Sequence, residues 1–234
     1  MSKRFALVFG ILCFCTFLYA GDAAAFVDLG FSSDGATYMF GQYGSTDTQY
    51  QAYADIYTID VKSNTFVKDG VFSIKPSAKT IGKSGISVYN TLYNKNKDYI
   101  LQYKPEPVSL ADTLYIRSDS NAITDEIIFQ DFERSNASKQ IYYHIKLVPW
   151  FSDKTETSKS SFFISIEKQD ENKNLLQKDV AGTPDIKRTG VIKYAIEKIM
   201  CDKSNNNLVF IVEKTIRTKD GLNIRYMAET ISIK

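Results

Sequence analysis

The apolar positions of this chain alternate far more often than they step by three or four. Val27, Leu29 and Phe31 alternate with Asp28 and Gly30, and Tyr57, Ile59 and Val61 alternate with Thr58 and Asp60. That is the period of half-buried strands. Between them Ser32-Ser33-Asp34-Gly35 reads as a turn, because Gly accepts positive φ and Asp bonds its own backbone. Thr37–Phe40 returns as a strand, and a polar loop runs through Gly44-Ser45-Thr46-Asp47. Beyond the tight turn at Lys62-Ser63-Asn64-Thr65, residues 65–74 extend up to Pro76. From Thr113 onward nearly everything reads as strand: 113–117, 126–132, 141–148, 161–168, 175–178, 191–201, 208–217 and 223–233. Short polar turns such as Ser204-Asn205-Asn206-Asn207 join them, so the pairs are antiparallel hairpins.

One segment breaks the rule. Ile86, Tyr89, Leu92, Tyr93, Ile100 and Tyr103 recur at three- and four-residue steps, which predicts an amphipathic helix near 86–103. Asn94–Asp98 in its middle is turn material, and Pro105 and Pro107 end it. The expected fold is mainly β: a single antiparallel β domain of about ten strands, built as a sandwich or an irregular propeller-like stack. Within it, Phe31–Phe40 lines up with Cys201–Phe210 as strand end, polar turn and apolar strand. A repeated blade-like unit gives such a match, and so, more simply, do any two antiparallel hairpins.

The N-terminus sets location. Ser2-Lys3-Arg4 is a positive start, Phe5–Tyr19 is uncharged and apolar, and Ala23-Ala24-Ala25 supplies the small residues of a cleavage site. Tyr19-Ala20-Gly21 is a second possible cut. This predicts a secretory signal peptide over 1–25 and a secreted domain over 26–234, in the periplasm or outside the cell. The apolar run is short for a span of about 20 residues, and no other stretch is apolar enough to cross a bilayer. The chain has 29 Lys+Arg and 27 Asp+Glu; removing Lys3, Arg4 and Asp22 with the leader leaves 27 cations against 26 anions. With no long like-charge run, a nucleic-acid partner is not expected.

Composition narrows the chemistry. Cys13 and Cys15 leave with the leader, so a single cysteine, Cys201, remains and no internal disulfide is expected. The core must rest on apolar burial, to which 15 Phe and 15 Tyr contribute. The one histidine, His144, lies on the strand face opposite Ile141, Tyr143, Ile145 and Leu147. One His and one Cys exclude a His-rich or thiolate zinc site. No G-x-S-x-G elbow and no glycine-rich phosphate loop is present. No catalytic residue, metal or cofactor is therefore assigned. Asp28, Asp34, Asp47, Asp55 and Asp60 crowd the opening strands and make a calcium site of loop oxygens conceivable, although turn chemistry explains Asp34. The candidate ligand-binding residues are Tyr43, Asp47, Tyr50 and Tyr53, set among Gln42, Gln49 and Gln51. Tyrosine near amides gives a large contact area with a hydrogen-bonding tip; tyrosine packing across the sheet is the competing reading.

Two resemblances carry further. Phe31-Ser32-Ser33-Asp34-Gly35, Tyr38-Met39-Phe40 and Ala54–Asp60 resemble one blade of a TolB-like β-propeller. Over most of the mature chain the sequence resembles a bacterial family of predicted secreted proteins, a domain of unknown function. That likeness rests on the leader, Leu29-Gly30-Phe31-Ser32-x-Asp34-Gly35, Gln42-Tyr43-Gly44, Tyr57-x-Ile59-Asp60 and the hairpin from Val191 to Glu213. It implies secretion and a common fold, and no activity. Gly41 stands where the resemblance leads one to expect an acid before Gln-Tyr-Gly. The expectation is an exported, non-enzymatic protein that binds another protein or an envelope component. The alternatives are a carboxylate-dependent hydrolase of an envelope polymer and a structural envelope protein.

Overall fold

The computed structural model describes residues 22–118, 126–132 and 134–233; the leader expected at 1–25 lies outside them up to residue 21. In chain order the elements are β1 (Ala25–Phe31), β2 (Thr37–Ser45), β3 (Ala52–Asp60), β4 (Thr65–Ile74), α1 (Gly85–Lys95), α2 (Lys97–Gln102) and β5 (Thr113–Ile116). There follow β6 (Ile127–Gln130), β7 (Ile141–Phe151), β8 (Lys159–Asp170), β9 (Leu175–Ala181), β10 (Arg188–Thr189), β11 (Val191–Cys201), β12 (Asn207–Thr218) and β13 (Gly221–Ser232). All strand pairs within the sheets are antiparallel. The first sheet runs β1-β2-β3-β4, a second β13-β12-β11-β5, and a third β10-β8-β7-β6 with β9 also on β8. The protein is mainly β, as its alternation predicts.

The sheets stack, and the second is the middle layer. Tyr38, Phe40, Ile59 and Val61 of the first sheet and its turn meet Met200, Val209 and Ile211. On the other side Leu208, Phe210 and Val212 meet Tyr143, Phe162, Ile164 and Ile166 of the third sheet. The run Leu208-Val-Phe-Ile-Val212 is continuous because both of its faces are buried, each large side chain contributing about 1.5–3 kcal/mol. The helices cover the remaining face of the first sheet, where Val88, Tyr89, Leu92 and Ile100 pack on Met39, Ala52, Ala54 and Ile56. Gly41 is needed there: a Cβ would lie 2.5 Å from the Tyr89 ring. The Ser84 hydroxyl caps α1 by accepting from the Ser87 amide. The helical segment breaks at Asn96, within the stretch rich in turn formers, so the expected single helix is two.

The free edge of β13 is covered from the first sheet. The Tyr226 amide donates to Gln42 Oε1 and the Thr230 amide to Asn64 Oδ1, both at 2.8 Å. Residues 22–24 complete the cover: Ile224 N donates to the Asp22 carbonyl at 2.8 Å and Ala24 N to the Ile224 carbonyl at 3.1 Å. Asp22 is 4 % exposed. Its carboxylate pairs with Arg225 and accepts the Tyr53 hydroxyl at 2.8 Å, while the guanidinium lies 4.1 Å over the Tyr53 ring. Edges are commonly blunted in this way, because unpaired amides invite a foreign strand.

Candidate ligand cavity

The four residues of the tyrosine-rich loop do not share a surface. Register pairs Tyr43 with Ala54 and Tyr53 with Gly44, so period two sends the rings to opposite faces of the sheet. Tyr43 packs 5.6 Å from Tyr89 under α1. Tyr53 is buried, with its hydroxyl on Asp22, and burial pushes its ionisation well up. Tyr50 is 70 % exposed and holds a left-handed φ of 50°. Asp47 is half-buried in a cleft of about 240 Å³ that also includes Asp22, Gln49 and Asp220, and its Oδ2 is buried without a partner. Among the described residues no group of three or more His, Cys, Asp or Glu is placed to hold a metal ion.

A second cavity is built differently. It has about 250 Å³ and lies where the β6–β7 hairpin meets the middle sheet. Leu114, Phe129, Leu208 and Ile233 give it apolar walls, and Asp131, Arg134, Tyr143 and Cys201 bring polar atoms. The Asp131 amide closes the hairpin on the Ile141 carbonyl at 2.8 Å, which points the next turn back over the sheet end. Its carboxylate accepts from the Arg134 amide at 3.2 Å and lies 3.4 Å from the Arg134 guanidinium. Register sets Lys168 directly across from Tyr143, and the ammonium sits 4.9 Å over that ring and 3.8 Å from Asp131. The Asp131 and Lys168 side chains are both almost wholly buried. Burial, and then the nearby Arg134 charge, pull the Lys168 ammonium below its ordinary value, against the pull of Asp131.

Tyr143 is 3 % exposed and stacked on Phe129 at 5.0 Å; its buried hydroxyl makes no well-formed hydrogen bond, and the Asp131 carboxylate is the acceptor beside it. Burial first, and then the Asp131 charge, push its ionisation well above the usual range, so it stays a neutral phenol able to donate or accept. Cys201 is engaged: its Sγ lies 3.0 Å from Asn205 Oδ1 and 3.3 Å from the Asp112 carbonyl, two acceptors for its one S–H hydrogen. Phe132, 76 % exposed, stands at the rim, and Leu110, 83 % exposed, precedes the lining residue Ala111. His144 lies elsewhere, on Glu126 at 2.9 Å. The cavity can therefore hold a small guest with an apolar body and a polar head.

Alternation in the sequence points to Tyr143 as inward-facing but gives no reason to treat it as a site. Lys168 carries the overlooked signal. Phe162, Ile164 and Ile166 face inward at period two, and Lys168 continues that phase. A charged residue in step with an apolar alternation is either a sheet end or a desolvated site. Asp131 and Arg134 look like ordinary turn residues in sequence.

The class is thus clear from the fold and the site: a mainly β protein of stacked antiparallel sheets with a partly polar cavity between two of them. More particularly, the chain belongs to the family described as Predicted secreted protein (DUF2259), which matches residues 39–232, from within β2 to the end of β13. It is a family of unknown function. No curated protein and no solved structure matches the chain. Among the described residues no helix is long and apolar enough to cross a membrane.

Proposed function

We propose that this is an exported, non-enzymatic binding protein, acting in the periplasm or outside the cell, whose ligand seats in the cavity at Tyr143. The Tyr143 hydroxyl carries this reading: it is buried with only the Asp131 carboxylate beside it and no well-formed hydrogen bond, and a buried hydroxyl left unpaired costs up to about 1–3 kcal/mol, part of which a ligand's polar group there would recover. The cavity is smaller than the about 300–1,000 Å³ typical of sites for drug-sized ligands, so the guest is small or is the inserted end of a larger envelope component. The apolar rim at Phe132 suits such an insertion. The exposure of Tyr50 and the buried Oδ2 of Asp47 without a hydrogen-bond partner support these two loop residues as a secondary contact. Native mass spectrometry of protein purified from its own envelope tests the reading. A retained small molecule is expected, and Tyr143→Phe should weaken its binding about tenfold, the equivalent of about 1.4 kcal/mol, without lowering the melting temperature. No retained molecule, together with no binding from an envelope extract, would end the reading.

A second reading has one observation in its favour: Asp112 and Asp131 both line this cavity. Two carboxylates at one site are what a hydrolase of an envelope polymer needs. Against it, Asp131 is already held by Arg134 and Lys168, and Asp112 accepts the Ser109 hydroxyl at 2.7 Å. Cleavage of an envelope polymer that disappears in Asp112→Asn would favour the hydrolase.

A further inference from the structure

We propose that the leader is removed at the Ala20–Gly21 bond, upstream of the alanine triplet, so that the mature chain keeps Asp22. Sequence favours the triplet, because Ala23 and Ala25 are both small and correctly spaced. The fold needs what a cut there would discard. Asp22 and Ala24 are buried, and the backbone of residues 22–24 makes both hydrogen bonds of Ile224 on the open edge of β13. The isolated bridge between Ala23 and Ile224 belongs to the same contact. The Asp22 carboxylate is the ion-pair partner of Arg225 and the acceptor for the buried Tyr53 hydroxyl. A chain starting at Phe26 would leave a partly buried guanidinium and a buried phenol without these partners, and the β13 edge bare at Ile224. A cut after Ala23 keeps only Ala24 and loses the carboxylate as well.

The reaction is a peptide hydrolysis by the peptidase of the export pathway. Water adds across the Ala20–Gly21 bond, leaving a carboxylate on Ala20 of the leader and an ammonium on Gly21 of the mature chain. Ala20 is the small residue directly before the bond, while Leu18 stands two positions further back, where the triplet offers Ala23; the fold's need for Asp22 is what outweighs that.

The full gene product should be expressed with its leader in an exporting bacterium and recovered from the envelope or the medium. Intact mass and N-terminal sequencing should give a chain of residues 21–234. A mass for 24–234 or 26–234, or one retaining residues 1–20, overturns the proposal. The Arg225→Leu variant supplies the second measurement. It should be processed at the same bond and melt about 4 °C or more below the parent. An unchanged melting temperature would mean that the Asp22 contact holds nothing, and would remove the reason for the upstream cut.

Discussion

Two hairpin turns, Phe31–Phe40 and Cys201–Phe210, do the same work with their side chains exchanged. Ser32 N bonds the Thr37 carbonyl at 2.9 Å and Asp202 N the Asn207 carbonyl at 3.2 Å. Gly35 N bonds the Ser32 carbonyl and Asn205 N the Asp202 carbonyl, both at 2.9 Å. Gly35 at φ 70° and Asn205 at φ 53° take the same left-handed place. In the first turn the buried Ser32 hydroxyl accepts the Thr37 amide and leans on the exposed Asp34; in the second the buried Asp202 accepts the Asn207 amide and the exposed Ser204 leans on it. The acid and the hydroxyl have changed places. The geometry demands an acceptor at the buried position, and either group provides one. The turns also touch, through Asn207 Nδ2 and the Gly35 carbonyl at 3.4 Å.

The largest break in this equivalence should come from Asp202→Ala. Asp202 accepts from the amides of Asn206 and Asn207 and from the side chains of Ser204 and Asn207, so its loss should cost about 3 kcal/mol in urea unfolding. Asp34→Ala, in the exposed counterpart, should cost well under a third of that. Equal losses would show that the side-chain exchange carries no energetic meaning. Gly35→Ala should follow, at about 2 kcal/mol, because it strains a left-handed φ and places a Cβ 2.8 Å from Asp202 Oδ2. Asn205→Gly should shift stability by no more than about 0.5 kcal/mol.

One further change, of opposite sign, sharpens where the hairpins part. Thirteen residues beyond the strand ends Phe31 and Cys201, the second carries the partly buried Lys214 at the position matching Gly44. Burial, then Arg188 and Arg225, pull its ammonium from 10.5 down to about 8. A folded value below the unfolded one means that the unfolded chain binds more protons between pH 8 and 10.5. Lys214 therefore makes its full contribution above pH 10.5 and loses it as pH falls through 8. Lys214→Met should raise stability at pH 7 by about 1–2 kcal/mol, allowing for screening of a partly exposed group, and flatten the stability rise between pH 8 and 10.5. An unchanged slope would place the ammonium in water.

Strands were legible because alternation survives wherever a strand has unlike faces. The hairpin from Val191 and the strand after Thr65 begin where the sequence places them. The order of layers was not legible. Leu208–Val212 is equally apolar whichever sheet lies on each face, and long-range stacking leaves no local period. The tyrosine-rich loop drew notice through composition, yet composition is blind to face: one residue of register separates Tyr43 from Tyr53 by the thickness of the sheet. The cavity at Tyr143 escaped because its polar members come from β6, β7, β11 and three turns, and each has an ordinary reason to be where it is.

The Asp22 contact also sets an order in time. Asp22 and Arg225 are 203 residues apart. A chain threaded through a translocation pore delivers Asp22 first and β13 nearly last, so this closure waits for the whole sequence to emerge. Contacts of such separation slow folding, and the long wait exposes unpaired strands. Until β13 arrives, Gln42 and Asn64 have no edge to cap and the first sheet lacks its partner layer. Holding factors on the far side of the membrane would meet this protein with its β2–β3 ribbon uncovered, and release it only when the last strand arrives.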